Sequence, residues 1–227
     1  ALSSAASDVY KRQGEDPVLA ARMAQAAVRG IQSRGVDVVA KHLCAQGETT
    51  GGVNASAARI GPRELREIHL PPVRACVEAG VAGFMAAYNE IDGVYCHANR
   101  WLLTELLREE YGFQGIVMSD GVAIDQLDAM TGDRTVSGAV ALEAGVDMGL
   151  WDTGFARLEE AVERGLVSTA RLEEAVLRIL EMKFRRGLFE EPFVAENELW
   201  QGYTPDRYPQ ARELARELCQ LNRQRQT

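Results

Sequence analysis

Between residues 112 and 120 the chain reads Gly-Phe-Gln-Gly-Ile-Val-Met-Ser-Asp, an apolar run that follows two glycines and ends in two polar residues. Glycine after an apolar periodic segment is typical of a helix end, because glycine adopts the left-handed conformation at little cost. Residues 115–118 have the length and composition of a buried strand. The stretch therefore predicts a helix that ends at Gly112 and a strand that presents Ser119 and Asp120 at its end.

The same order of elements recurs on both sides of that stretch. Further apolar runs lie at residues 36–40, 81–87 and 146–150, and each follows a helical pattern. The last three of the four runs recur about every 30 residues, which is the length of a βα unit. Near-continuous apolar strands indicate a parallel sheet that is covered on both faces. The starts of the four preceding helices are predicted at Asp16-Pro17, near Pro62, at Asn99 and near Val136, and two more helices are predicted at residues 155–164 and 168–186.

Composition limits the possible partners. The 227 residues are 46% apolar and 26% charged, with a net charge of −8. We expect no nucleic-acid partner, because phosphate binding needs clustered Lys and Arg. We expect no membrane partner, because no run approaches the roughly 18 apolar residues of a membrane span. No cofactor or metal is expected, and Cys44, Cys76, Cys96 and Cys219 are interpreted as reduced thiols of a cytoplasmic-type protein.

Each predicted strand ends in polar residues. Because parallel strands end at one edge of the sheet, we expect these residues to converge on a single mouth: Lys41, His42, Tyr88, Asn89, Asp120 and Asp152. A sugar hydroxyl both donates and accepts hydrogen bonds, so this mixture suits a polyhydroxylated substrate. Taken singly, Asp120 could be a helix cap or an ion-pair partner, and Met85 a core residue. His69 and His97 are interpreted as surface or structural residues.

Five segments resemble, in order and spacing, motifs of glycoside hydrolase family 3. They are Gly-Glu-Asp-Pro at residues 14–17 with Val-Ala-Lys-His at 39–42, Arg-Glu-Leu-Arg-Glu-Ile-His-Leu-Pro at 63–71, Met-Ala-Ala-Tyr-Asn at 85–89 with Ile-Asp-Gly at 91–93, Leu-Leu-Arg at 106–108 with the stretch 112–120, and Ala-Gly-Val-Asp at 144–147. The resemblance implies an α/β fold: the second half of a TIM (β/α)8 barrel, with about four parallel strands and a barrel that does not close within this chain. A self-contained doubly wound sheet is the alternative, although no glycine-rich phosphate loop follows any strand.

The resemblance to β-glucosidase-like members also implies residue roles. Asp120 would be the nucleophile of a retaining β-glycosidase and would form a covalent glycosyl-enzyme. Lys41, His42, Met85 and Tyr88 would bind a β-linked glucoside or oligosaccharide. Residues 1–13 would be artefactual or foreign to the family, residues 14–193 a partial catalytic barrel, and residues 194–227 a linker and the truncated start of a second domain. The missing half-barrel and the second domain of the same gene product would then be partners, and the chain alone would be inactive.

Two departures from the family pattern bear on the substrate. The aromatic residue that commonly follows the nucleophile is replaced by Gly121, and no arginine occurs at residues 52–54, where the family often has one. The general acid/base is not identified. Two other functions stay open: an aldolase-type barrel that uses Lys41 as a Schiff-base lysine, and a non-catalytic half-barrel that pairs with a partner chain.

Overall fold

The computed structural model describes residues 16–193 together with Glu213 and Arg216. The predictions for residues 1–13, for Cys219 and for most of residues 194–227 therefore lie outside the described residues. The chain divides into two compact units between Met182 and Lys183.

Helices and strands alternate in the first unit as the sequence predicts. The helices are α1 (Pro17–Gln32), α2 (Leu70–Glu78), α3 (Arg134–Ala144), α4 (Leu158–Glu163) and α5 (Thr169–Arg185, which ends in the second unit), with π-helical segments at Leu65–His69 and Trp101–Glu110 and short α-helical turns at Pro62–Glu64 and Asp128–Thr131. The strands are β1 (Val39–Leu43), β2 (Ala57–Ala58), β3 (Gly83–Ala86), β4 (Glu90–Ile91), β5 (Val94–Tyr95) and β6 (Ile116–Met118).

The main sheet is parallel and has the order β1-β3-β6. The fourth predicted strand, at residues 146–150, is reduced to one parallel bridge between Met118 and Met148. The Ser119 amide still donates to the Met148 carbonyl at 2.9 Å, so this segment continues the sheet beside β6. Among the described residues no strand pairs with the outer edge of β1. The α/β class is confirmed, and the main parallel sheet has three strands rather than the four predicted.

A second, smaller sheet was not predicted. Strand β2 pairs in parallel with β4, and β4 pairs antiparallel with β5. Asp92 and Gly93 join β4 to β5 with positive φ angles of 48° and 84°. Asp-Gly at such a turn is a strong hairpin signal, because both positions of this turn type need left-handed backbone.

The predicted helix starts are largely confirmed. The Asp16 carboxylate accepts hydrogen bonds from the Val18 and Leu19 amides, which have no partner within the first turn of a helix. Asn99 likewise accepts from the Leu102 amide at 3.0 Å. Pro71 and Pro72 lie in the first turn of α2, where proline fits because that turn needs no amide donor.

The core lies between the main sheet and the helical segment Trp101–Glu110. Leu102, Leu103, Leu106 and Leu107 are fully buried there. A Cβ at Gly115 would lie 2.1 Å from the Ala82 carbonyl oxygen, so only glycine allows β6 to enter the sheet this close to β3.

One apolar face of the first unit is open. The helical pattern of α1 is confirmed, but Leu19, Met23 and Ile31 are 52%, 64% and 46% exposed. Val28 is the buried residue of this helix. Within the described part of the chain, nothing covers the rest of the apolar stripe of α1. None of the described helices has the combined length and apolar composition that crossing a bilayer requires.

The second unit is described at residues 183–193 and at Glu213 and Arg216, and within residues 183–193 helix α5 ends and a turn follows. Gly187 has a φ of 66°, which is typical of the residue after a helix. The rings of Phe184 and Phe189 lie 6.5 Å apart around this turn.

Candidate active site

The ends of the three parallel strands bring His42, Tyr88 and Asp120 together. The Nε2 atom of His42 lies 3.2 Å from Oδ2 of Asp120, and the two side chains are 18% and 15% exposed. The Tyr88 hydroxyl donates a 2.6 Å hydrogen bond to the carbonyl of Gly121. The Asp120 carboxylate thus lies at the rim of the sheet with an imidazole on one side and a phenol nearby, close to solvent without being fully exposed.

The backbone around Asp120 is fixed by hydrogen bonds on both sides. The Asp120 amide donates to Nε2 of His97 at 3.1 Å. The Gly121 amide donates to Oδ1 of Asp120 itself at 2.8 Å. One carboxylate oxygen is therefore held by the main chain, and the other is directed at His42.

His97 is the site residue that the sequence interpretation missed. From the sequence it is interpreted as a surface or structural residue, and it is indeed structural. It is only 2% exposed and lies directly behind Asp120. Burial lowers the pKa of His97 to about 4, so the ring is neutral, and a hydrogen bond to the Ala87 backbone partly opposes this shift. A neutral imidazole donates through one nitrogen and accepts through the other. His97 therefore links the end of β3 to the amide of Asp120. It reaches this position over 23 residues of chain, which no local pattern signals.

Tyr88 shares its environment with Asp120. Burial raises the pKa of Tyr88 to about 12, and the negative charge of Asp120 contributes to the rise. The phenol therefore stays protonated near neutral pH and acts as a hydrogen-bond donor. Because it is bonded to Gly121, it holds the segment that follows Asp120.

Lys41 and Met85 lie one layer below the rim. Lys41 pairs with Met85 on β3, and Met85 with Met118 on β6. Met85 is buried, whereas Lys41 is exposed. The contact with Asp120 belongs to His42 rather than to Lys41. Lysines that form Schiff bases are usually desolvated, so the exposure of Lys41 does not favour the aldolase alternative.

Two other strand-end residues do not reach the mouth as predicted. Asn89 is fully buried, and its amide donates to the Cys44 carbonyl at 3.2 Å, which ties the end of β3 to the end of β1. Asp152 is 7% exposed and accepts from Ser119 Oγ at 2.5 Å and from the Ile124 amide at 2.8 Å. Both side chains turn inward because loop amides and carbonyls there would otherwise be buried without partners.

Asp147, in the Ala-Gly-Val-Asp segment, is a structural residue. One oxygen accepts from Arg108 at 2.5 Å and from the Val117 amide at 2.9 Å. The other accepts from Arg178 at 2.8 Å and from Arg171 at 3.2 Å. Burial lowers the pKa of Arg108 to about 10, against the opposing effect of Asp147. All acceptor positions of this carboxylate are used to join α5 and the segment Trp101–Glu110 to the sheet.

The chemistry of the site is that of one accessible carboxylate. Within residues 16–193, no group of three or more His, Cys, Asp or Glu side chains is arranged to hold a metal ion. Cys44, Cys76 and Cys96 are free and buried. A carboxylate with a fixed backbone and one oxygen at an open rim can act as a nucleophile or as a base.

Comparisons with known proteins show the family of the chain. The family model described as glycosyl hydrolase family 3 N terminal domain matches residues 4–182. A β-glucosidase of Rhizobium radiobacter is 37% identical over 195 residues, which are 84% of this chain and 22% of that protein. A β-xylosidase of Formosa agariphila is 34% identical over 204 residues, or 80% of this chain and 28% of that protein.

Solved structures give the same result. The β-glucosidase from Listeria innocua superposes with a TM-score of 0.83 at 30% identity, covering 90% of this chain and 30% of that one. It has also been solved in complex with glucose. The chain therefore spans between a fifth and a third of the length of these relatives.

Proposed function

Because this chain belongs to glycosyl hydrolase family 3, we propose that it is the part of a β-glycosidase that carries the catalytic nucleophile, Asp120. The observation that supports this most is the contact of Asp120 with His42 at a strand-end rim, beside Tyr88. Active sites of barrel enzymes lie at the carboxyl ends of the strands. The substrate class we propose is a β-linked glucoside or oligosaccharide, as the names of the relatives suggest.

The proposed reaction has two displacements. Oδ2 of Asp120 attacks the anomeric carbon while the bond to the leaving oxygen breaks, and an acid protonates that oxygen. Water then attacks the anomeric carbon of the glycosyl-enzyme while the bond from that carbon to Oδ2 of Asp120 breaks and the carboxylate is released, and the group that acted as the acid now takes up the proton of the water as a base. Configuration is retained because each displacement inverts the carbon.

The residues around Asp120 support the role of nucleophile. The Gly121 amide bonds to Oδ1, which orients the carboxylate and leaves Oδ2 for attack. His97 fixes the position of the Asp120 backbone, and Tyr88 fixes Gly121. This arrangement limits the motion of the nucleophile, and positioning of the reacting groups is a large part of enzymatic rate enhancement.

The general acid is proposed to come from outside the described residues. Asp152 is unsuited to the role, because its oxygens are engaged with Ser119, Ile124 and Leu150. The remaining strands and helices of the barrel are proposed to pair with the outer edge of β1 and to cover α1, whose apolar residues are exposed. We therefore expect this chain alone to be inactive.

Proton NMR during hydrolysis of an aryl β-glucoside by the full-length protein tests the proposal. The β anomer of glucose is expected to be released first and to convert slowly to the equilibrium mixture. Initial release of the α anomer, or the absence of hydrolysis, would contradict it. This chain alone is the control and should be slower by at least about 10²-fold, the low end of the contribution of general acid catalysis.

A further inference from the structure

An exposed tryptophan lies beside the proposed nucleophile. Trp151 is 81% exposed, although indole is a large apolar group. Its ring atoms Cε3 and Cζ3 lie 3.5 and 3.6 Å from the position that a Cβ on Gly121 would occupy, and the Tyr88 hydroxyl lies 3.5 Å from the same position. The indole ring therefore lies at van der Waals distance from the point at which a side chain at residue 121, next to Asp120, would begin.

The backbone of Trp151 is held in an energetically unfavourable conformation. Its φ is 64°, a left-handed value that bulky residues rarely adopt. Both neighbours are anchored: the Leu150 amide donates to Ser119 Oγ at 2.7 Å, and Asp152 accepts from the Ile124 amide at 2.8 Å. Strained residues whose surroundings are this well determined occur mainly at functional sites.

The order of the strands sets the side of the nucleophile on which Trp151 lies. His42 belongs to β1, Tyr88 follows β3, Asp120 follows β6, and Trp151 follows the segment beside β6. Asp120 therefore lies between the indole and the polar pair Lys41-His42, which the family resemblance implies binds the reacting sugar. With the reacting sugar on the side of that pair, the indole's side of Asp120 is left for the group attached through the scissile bond.

We propose that Trp151 is a specificity-determining residue that forms an aromatic wall for the leaving group, substituting for the side chain that Gly121 lacks. This inference rests on the proposed glycosidase function. The ligand chemistry is a flat apolar face: either the C–H face of a second sugar or an aryl ring. Aromatic side chains commonly line such sites and orient ligands by stacking. A Cβ at residue 121 would lie at ordinary van der Waals distance from both the indole and the Tyr88 hydroxyl.

Three substrates of the full-length protein separate this role from a structural one. They are a β-linked glucose disaccharide, an aryl β-glucoside and β-glucosyl fluoride, whose leaving group has no ring. Trp151→Ala should lower kcat/KM about tenfold for a leaving group that stacks, which is the size expected for one aromatic contact. The fluoride should be hydrolysed within about twofold of the wild-type rate. A loss with the disaccharide alone identifies a sugar as the stacked group, and a loss with the aryl glucoside alone identifies an aryl ring.

Two further variants complete the test. Trp151→Phe should keep most of the activity and serves if Trp151→Ala fails to fold. Adding Gly121→Trp to Trp151→Ala should restore part of the loss, since it returns a ring to the same space. Equal losses on all three substrates, or no loss on any, would overturn the proposal. If wild-type protein hydrolyses none of the substrates, the glycosidase proposal itself fails and this inference with it.

Discussion

Two aspartates at opposite ends of neighbouring segments show how one residue type serves two purposes. Asp147 is 5% exposed, and both of its oxygens are occupied by three arginines and the Val117 amide. Asp120, three residues after Val117, has one oxygen on the Gly121 amide and the other at the rim beside His42. A carboxylate with every acceptor position filled stabilises the fold, whereas one with an accessible oxygen can react.

Asp152 is intermediate and sharpens the contrast. It follows a strand-like segment just as Asp120 does, yet its oxygens bond to Ser119 and to loop amides. Burial raises its pKa, against the opposing effect of these hydrogen bonds. Position at a strand end is therefore not sufficient for a catalytic role. The neighbouring donors decide it.

The largest effect is expected from Asp120→Asn in the full-length protein. Asparagine keeps the shape but is a very poor nucleophile, so kcat on an aryl β-glucoside should fall by about 10⁴-fold or more. The melting temperature should change little, because the acceptor for the Gly121 amide is kept. Undiminished turnover would remove Asp120 from the mechanism.

Asp147→Asn is expected to lower the stability of the fold rather than the chemical rate. Losing the charge leaves Arg108, which is 11% exposed, without its counter-ion, and it removes one of the two carboxylates that pair with Arg178, Glu174 being the other. Removing one partner of a buried ion pair typically costs about 3–5 kcal/mol of folding free energy. Urea denaturation at neutral pH measures this cost. If Asp147→Asn instead lowered kcat with unchanged stability, the assignment of the two aspartates would be reversed.

His97 is buried in the fold and also hydrogen-bonds to the amide of the proposed nucleophile. Its titration should change the folding stability by an intermediate amount that depends on pH. Histidine in an unfolded chain binds a proton near pH 6.5, but folded His97 does so only near pH 4. The unfolded state therefore binds more protons between these values, and stability should fall as the pH is lowered from 6.5 to 4, by up to about 3 kcal/mol.

His97→Gln is the matched variant for this effect. Glutamine can still accept from the Asp120 amide but does not titrate, so this part of the pH dependence should disappear. Denaturant unfolding at several pH values between 7 and 4 compares the two proteins. An identical pH profile for His97→Gln and wild type would show that His97 is not the residue responsible.

The smallest effect is expected at the surface. Arg74 and Glu78 form a 3.0 Å pair one turn apart on α2, with side chains 67% and 53% exposed. Such pairs contribute about 0.3–0.5 kcal/mol, and salt screens them. Glu78→Gln should therefore shift the urea midpoint barely at all. A loss comparable to that of Asp147→Asn would mean that burial does not explain the difference between the two ion pairs.

Much of this architecture could be predicted from sequence because it depends on local patterns. The run at residues 115–118 and the position of Asp120 after it follow from an apolar segment bounded by glycine and polar residues. Asp92-Gly93 also carries a local hairpin signal, yet its small sheet was not predicted. The roles of His97, Asn89 and Asp152 depend on hydrogen bonds to residues more than 20 positions away, so no local pattern could reveal them.

The most direct measurement of the central claim is chemical trapping of the intermediate. Full-length protein is incubated with a 2-deoxy-2-fluoro-β-glucoside that has a good leaving group. The fluorine slows both displacements, but the good leaving group keeps the first one fast enough for the glycosyl-enzyme to accumulate. Peptide mass spectrometry should then locate the fluoroglucosyl group on Asp120, and Asp120→Asn should take up none. A label on Asp152 or on another carboxylate, with Asp120 unmodified, would contradict the account.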